Sequence, residues 1–439
     1  MKYVQINSYY QGSSTATIMK SIHAELKKQG VDSYMFWGRN HATIDDHEQC
    51  FATKASVYWH GAMTRLTDRT GFYSKRDTTR LLRLLDEIDP DVVHLHNIHG
   101  YYVNIEMLFG WLARHRCQVR WTLHDCWALT GHCAYFTYAD CAQSEPCPQL
   151  DTYPKTICRA NCARNFEDKR RIFMSVPPER MTLVTPSQWL ADLVGQSFLK
   201  NYPVEVRHNT IDKAVFKPTF SDFRDRYCIG DRFMVLGVAS PWTERKGLGD
   251  FVRLAGELNS SKYAIVLVGL SKKQIKQLSK QLVTLPKTVG AERLAKAHSA
   301  ADVFMHPDVE EAFGIKVVEA KACGTPVVVA DNPDPTEVVD FAGGISESVD
   351  MSTLKATLVD LAGGCRVILM TRTDSAAQLA AIYSAANVFF NPTVEDNFPT
   401  VNLEAEACGT TVVTYDTGGC RETISRIGSM VLDRNSSGF

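Results

Sequence analysis

Two stretches of this chain, 85 residues apart, carry nearly the same text. Leu294 to Ala330 reads LAKAHSAADVFMHPDVEEAFGIKVVEAKACGTPVVVA, and Leu379 to Tyr415 reads LAAIYSAANVFFNPTVEDNFPTVNLEAEACGTTVVTY; 19 of the 37 positions agree without a gap. In each copy an apolar strand ends at a proline (Pro307, Pro392), the chain turns, and a helix begins close to an aromatic (Phe313, Phe398). Any fold of this chain must therefore find room for one strand–turn–helix unit twice. Each copy also sets two carboxylates eight residues apart, Glu311 with Glu319 and Asp396 with Glu404. A turn that opens a helix exposes free backbone N–H groups and a positive dipole end, which suits phosphate. One acid can then accept hydrogen bonds from sugar hydroxyls while the other grips a ribose. Spacing alone favours a solvent-facing acid on an amphipathic helix, which explains most such pairs.

The first half of the chain alternates short apolar runs with helical periodicity, the signature of βαβ units in a parallel sheet. Strands are expected at Tyr3–Ile6, Ser33–Trp37, Asp91–Leu95, Val119–Leu123, Met181–Thr185 and Val204–Arg207, with helices from about Ser14 to Gln29 and over Thr78–Ile88. Two of these strands run into polar turns, HNIHG after Leu95 and HDCW after Leu123, where ligands of open α/β sheets bind. Periodicity lapses between Asn209 and Asp231, which marks a linker. A second series follows: Phe233–Ala239, a helix from Lys246 to Leu258, Tyr263–Val268 and a basic helix Ser271–Leu282. The expected architecture is α/β, with two Rossmann-like doubly wound domains, 1–214 and 215–439, and a cleft between them. Joining Val289 to Ile368 gives an uninterrupted strand, loop and helix. The segment of about 290–367 therefore reads as an inserted partial duplication, either an extra half-layer or a competitor with the second copy for one place in the sheet.

At 439 residues, 45% apolar and 22% charged, the composition suits a soluble two-domain protein, and a net charge of −1 excludes nucleic-acid binding through a basic field. There is no apolar run of membrane-spanning length, and the N-terminus enters a strand directly, so a cytoplasmic protein is expected. Six of the 13 cysteines fall between Cys126 and Cys162. In a reducing compartment such clustering favours metal over disulfide, and Cys133, Cys141, Cys147, Cys158 and Cys162 are the candidate ligands of a structural zinc. The irregular spacing, without a CxxC pair, favours small buried thiols over that site.

The segments EAFGIKVVEAKACGTPVVV and DNFPTVNLEAEACGTTVVT resemble the Glu-x7-Glu motif of the retaining GT-B glycosyltransferases of family 4. QINSYYQGSSTATI resembles that family's first strand and glycine-containing loop, and VVHLHNIHG, TLHDCWALTGHCAYF, VTPSQWL and NTID resemble the colanic-acid-type branch that builds capsular and exopolysaccharide chains. The resemblance implies a GT-B fold and a nucleotide-sugar donor, a UDP- or GDP-sugar. The implied acceptor is a glycan or polyprenyl-linked, with peripheral contact at the inner membrane face, and neither a cofactor nor a catalytic metal is required. It places Gly12 in the first glycine-containing loop, His124 beside the transferred sugar and Lys246, assisted by Arg245, on the donor diphosphate. Asn209 and Asp212 fall where the cleft closes. An arginine usual in the family is Pro241 here. Helices beyond VLDRNSSGF are expected as well.

The second copy is the preferred site: Asp396, Asn397, Phe398, Pro399 and Glu404, followed by Gly418 and Gly419 beside the donor. The first copy, with Glu311 and Glu319, has Pro333 and Asp334 where those glycines would align. Retention would proceed by front-face departure and attack, the donor phosphate oxygen taking the acceptor proton. The alternative is a degenerate nucleotide-sugar-binding or scaffold protein, inactive because of the insertion. A GT-B phosphorylase finds no supporting context. The lysines at 272, 273, 276 and 280 suit either anionic lipid or a solvated helix face.

Overall fold

The computed structural model describes residues 1–136, 147–157, 161–278, 282–287, 290–308, 311–330, 346–349, 379, 383, 388–391, 400–415, 420–425 and 429–432. Backbone contacts divide the chain into two compact units, Met1–Ile368 and Leu369–Phe439.

The first unit holds two parallel sheets. Seven strands make the first: β1 (Lys2–Tyr9), β2 (Asp32–Arg39), β3 (Glu48–Cys50), β4 (Val92–Leu95), β5 (Gln118–Thr122), β6 (Met181–Thr185) and β7 (Val204–Val206), in the order β3-β2-β1-β4-β5-β6-β7. Because β1 has neighbours built in opposite directions along the sheet, the carboxyl ends of β1 and β4 flank a switch point, where a crevice opens. Helix α1 (Ser14–Lys28) starts at Ser13, whose hydroxyl accepts from the Ala16 N–H. The sequence pattern located its core. Helices α2 (Lys54–Thr67), α3 (Lys75–Ile88), α4 (Ile105–Arg114), α5 (Cys162–Phe173) and α6 (Gln188–Gly195) complete the layers. Trp121 on β5, Phe109 on α4 and Phe173 on α5 interlock with ring centroids 4.8–5.3 Å apart. Each buried ring of this kind contributes roughly 1.5–3 kcal/mol.

The stretch read as a linker has structure of its own. It contains a single-turn helix, α7 (Phe223–Arg226), and buries Phe216, Phe223 and Ile229 in the core of the second sheet. The Arg224 guanidinium bonds Asp302 (2.5 Å) and the Ala300 carbonyl (2.9 Å), tying this segment down.

The second sheet has the order β10-β9-β8-β11-β12-β13, from β8 (Phe233–Val238), β9 (Tyr263–Leu270), β10 (Leu282–Pro286), β11 (Val303–His306), β12 (Val327–Ala330) and β13 (Ser346–Val349). Its helices include α8 (Leu248–Glu257), α9 (Lys272–Gln277), α10 (Ala291–Ala300) and α11 (Ile315–Ala322). The basic helix expected through Leu282 stops at Gln277: a capping box at Ser271 and Gln274 holds its start, but it buries none of its residues. Leu282 and Leu285 instead bury in a strand beside β9. Lys287 follows that strand.

The two copies of the repeat occupy different sheets. The strands of the first copy are β11 and β12, in the middle of the six-stranded sheet. The second copy lies in the second unit, whose three-stranded parallel sheet runs β14 (Val388–Asn391), β15 (Thr411–Tyr415), β16 (Met430–Leu432), with helix α12 (Thr400–Ala407) between the first two. Tyr383, Ala405 and Val412 form its small core. Most of the segment of about 290–367 beyond Ala330 lies outside the described residues.

Candidate active site

The switch point of the second sheet lies between β8 and β11, and the loops leaving those strands meet there. Lys246, in the loop before α8, places Nζ 2.9 Å from Asp308 Oδ2 and 2.9 Å from Glu311 Oε2, both in the loop after β11. Arg245 Nη1 stands 3.8 Å from the same Asp308 oxygen, with its guanidinium 3.8 Å above the ring of Tyr135 from the first sheet's side. Burial pushes the Asp308 carboxyl up. The same burial acts on Glu311, but Lys246 and Arg245 hold it well below the usual carboxylate range. Burial pulls Lys246 down, and Glu311 and Asp308 more than restore it. Two cations thus face two carboxyl groups at this point.

Local backbone makes this approach possible. Gly247 caps α8 with φ +69°, and a Cβ there would lie 2.2 Å from Pro307 Cγ. Gly269 at the end of β9 has φ +102°, and its Cβ would lie 1.9 Å from the Ala239 carbonyl oxygen. Both positions need the missing side chain. Gly314, φ +47°, opens α11. Glu319 follows on that helix, nearly buried, receiving Lys316 Nζ at 2.8 and 2.7 Å. Burial raises its carboxyl against the pull of Lys316.

A cavity of about 410 Å³ runs past these groups, lined among others by Lys246, Glu311, Gly314, Lys316 and Glu319 on one side and by Gly12 to Ser14 on the other. Lys287 Nζ crosses it to donate to the Gly12 carbonyl at 2.9 Å. Lys287 was missed in the sequence because it sits in a polar connection with no motif. His306, Asp308 and Glu311 could also gather a cation, their donor atoms lying within 4.8 Å of one another, and the Lys246 ammonium supplies one at that point.

His124, at the end of β5, is half-buried and belongs to a chain of hydrogen bonds. The Gln5 amide nitrogen donates to the Met19 carbonyl (3.1 Å), so its oxygen accepts from His96 Nε2 (3.1 Å). His96 Nδ1 must then accept from His124 Nε2, also at 3.1 Å, which leaves His124 Nδ1 without a proton. Burial holds His96 well below 6.5 and His124 down to about 4. Beside them His99 Nε2 bonds Asp125 (2.9 Å) and its Nδ1 meets Tyr153 Oη (2.9 Å).

Residues 232–362 and again 341–439 match the family of glycosyl transferases group 1, so each matched span contains one copy of the repeat. WcaC of Escherichia coli K12, named as a colanic acid biosynthesis glycosyl transferase, is 25% identical over 211 residues, 44% of this chain and 50% of that one. The processive diacylglycerol alpha-glucosyltransferase of Acholeplasma laidlawii is 29% identical over 164 residues, 34% and 48% of the two chains. The chain spans about half the length of these relatives. Among solved structures, sucrose-phosphate synthase from Thermosynechococcus elongatus superposes with a TM-score of 0.59 at 13% identity over 83% of this chain and 90% of that one. HepE from Anabaena, in complex with UDP-glucose, gives 0.55 at 14% identity over 82% and 89%. The fold is that of the GT-B glycosyltransferases.

Within this GT-B fold the residues singled out in the sequence fall into three sets. Gly12, Arg245, Lys246, Glu311 and Glu319 come together around the cavity. His124 stands with His96 and His99, and Asn209 is half-buried after β7, next to His208, whose ring stacks on Phe313 at 5.5 Å. The preferred second-copy residues Asp396, Asn397, Phe398, Pro399, Gly418 and Gly419 lie outside the described residues, and Glu404 is exposed on α12. The copy beside Lys246 is therefore the first, because β11 pairs directly with β8 and delivers its loop to the same sheet edge. Among the described residues no helix is long and apolar enough to cross a membrane.

Proposed function

We propose that this chain transfers a sugar, with retention, from a nucleoside diphosphate donor to a glycan or lipid-linked acceptor, and that the first copy of the repeat forms the donor site. The observation that carries the reading is the Lys246 ammonium held between Asp308 and Glu311 at the switch point, facing a cavity shared with the Gly12 loop. A leaving nucleoside diphosphate accumulates negative charge in the transition state, and cations fixed in a partly dehydrated cleft stabilise it most there. Lys246 and Arg245 supply that charge, with the N-terminal N–H groups of α11 alongside. When phosphate engages Lys246, Glu311 becomes available to sugar hydroxyls, and Glu319, one helical face inward, to the ribose.

On the acceptor side, His124 Nδ1 can accept a hydrogen bond from a sugar hydroxyl while His96 fixes its tautomer. The donor is a UDP- or GDP-sugar. The relatives named for colanic acid and for diacylglycerol glycosylation support an extended glycan or lipid-linked acceptor in exopolysaccharide or capsule assembly. Titration with a panel of UDP- and GDP-sugars should show one that binds and is slowly hydrolysed, with the anomer released first by NMR retaining the donor configuration. Failure of every donor to bind would overturn the reading. Initial release of the inverted anomer would overturn retention alone.

A further inference from the structure

The segment between β5 and α5 holds a second group of chemically capable side chains, set apart from the cavity. Cys133, Cys147 and Cys162 are 1–3% exposed and pack on one another, outside the main core, with Phe136 and Leu150 around them. The Cys133 and Cys147 sulfurs are 3.5 Å apart. A disulfide needs about 2.05 Å, whereas thiolates on a tetrahedral zinc, at about 2.3 Å each, stand about 3.8 Å apart. Cys126, by contrast, belongs to the main core, and Cys141 and Cys158 lie outside the described residues.

A histidine completes the group. His132 Nδ1 bonds Asp68 Oδ1, and Asp68 Oδ2 is itself fixed by the Asn161 N–H at 2.7 Å. The other ring nitrogen, Nε2, is fully buried and has no hydrogen-bond partner. A buried imidazole nitrogen left unpaired costs free energy. A carboxylate on Nδ1–H with the basic nitrogen facing away is the usual arrangement behind a metal-bound histidine. Asp68, His132 and Cys162 each bring a donor atom within 4.8 Å of the others. The backbone is shaped for this closeness: a Cβ on Gly131 would lie 2.1 Å from the Cys162 carbonyl oxygen.

The charge balance agrees. Lys169 is buried, donating to the carbonyls of Trp127 (2.8 Å) and Thr130 (3.0 Å) and lying 3.5 Å from the Trp127 ring. Burial pulls this ammonium down to about 7, opposed by Asp68, Asp125, Cys133 and Cys162. Three thiolates and a neutral imidazole on a divalent ion carry a net charge of −1, which would add to the Asp68 carboxylate in offsetting the buried ammonium.

We propose that Cys133, Cys147, Cys162 and His132 Nε2 form a structural zinc site, with Asp68 orienting the histidine. The ion would staple a loop that reaches the cleft: Gln149 Nε2 lies 3.6 Å from Cys133 Sγ and donates to the Tyr135 carbonyl at 3.1 Å, and Tyr135 carries Arg245. The site itself stands independently of the glycosyl-transfer reading. Metal analysis of the purified full-length chain should find one zinc per chain. Cys147→Ser and His132→Ala should each reduce it at least about tenfold, while Cys323→Ser, in a separate core, leaves it unchanged. As those variants can misfold, the wild-type chain stripped of metal is also titrated with cobalt(II). The expected result is an intense thiolate-to-cobalt charge-transfer band saturating at one equivalent and abolished by zinc. Zinc below about a tenth of an equivalent together with no charge-transfer band, or a Cys133–Cys147 disulfide by mass, would overturn the site.

Discussion

Lys246 is held by two carboxylates and faces a cavity, so its removal acts on stability and on chemistry at once. In Lys246→Met, Asp308 and Glu311 remain buried together without their cation. The pair is partly exposed, and the expected loss is about 2–3 kcal/mol, below the range for fully buried pairs; a urea midpoint measures it. Turnover should fall on the order of 10²–10³-fold, as for loss of one preorganised charge in a transition-state site. A variant that folds less stably yet keeps its turnover would reduce Lys246 to a structural role. Histidines impose a second residue-scale effect. Burial lowers His60, His94 and His298 to about 3 and His124 to about 4. Since the unfolded chain protonates these rings near 6.5, it binds more protons than the native state below that pH. Their contribution is intact above pH 6.5 and is lost as pH falls towards the native values, each ring costing about 1.4 kcal/mol per pH unit. Urea unfolding at a series of pH values below 6.5 should show this slope, reduced by one ring's share in His124→Asn. A flat profile would contradict the assigned burial of these rings.

At the scale of elements, the site depends on two loops pressed against neighbours. Gly247→Ala forces a methyl group towards Pro307 at a positive φ, and Gly269→Ala sets one against a backbone carbonyl. Both substitutions should destabilise by more than about 1 kcal/mol. Gly256, inside α8 with nothing within 4 Å of its Cβ position, is the internal contrast: Ala there should stabilise by about 0.5–1 kcal/mol. Thermal melts of the three variants test the ordering, and donor affinity should fall only for Gly247→Ala and Gly269→Ala. Strands such as Met181–Thr185 were legible because each is a short apolar run between helical patterns. The end of the basic segment after Ser271 was not, because a Lys-rich periodicity cannot reveal that no core lies beneath it. The tautomer chain Gln5–His96–His124 was equally hidden, since its members come from β1 and from the turns after β4 and β5. His132 escaped because its partner Asp68 lies 64 positions away.

At the scale of the whole molecule, the duplication becomes a question of which copy the second sheet accepts. Sequence favoured the second copy on account of Gly418 and Gly419, a local argument. What local text could not weigh is strand pairing: β11 of the first copy pairs with β8, the strand that leads to Lys246, and the second copy builds a separate three-stranded sheet. Lys246 and its carboxylate partners thus come from one end of one sheet, within the first unit. Substitutions in the full chain separate the copies. Glu311→Gln removes the negative charge that balances Lys246 while keeping the shape of the side chain, and Glu319→Gln weakens the hold of Lys316. Each should reduce donor affinity about tenfold or more, corresponding to roughly 1.4 kcal/mol, by calorimetry with the donor that the panel identifies. Glu404→Gln, on the exposed face of α12, should leave both affinity and melting temperature unchanged, as surface substitutions usually do. Loss of affinity in Glu404→Gln with retention in Glu311→Gln would instead give the donor site to the second copy and leave the Lys246 cluster as a structural ion network.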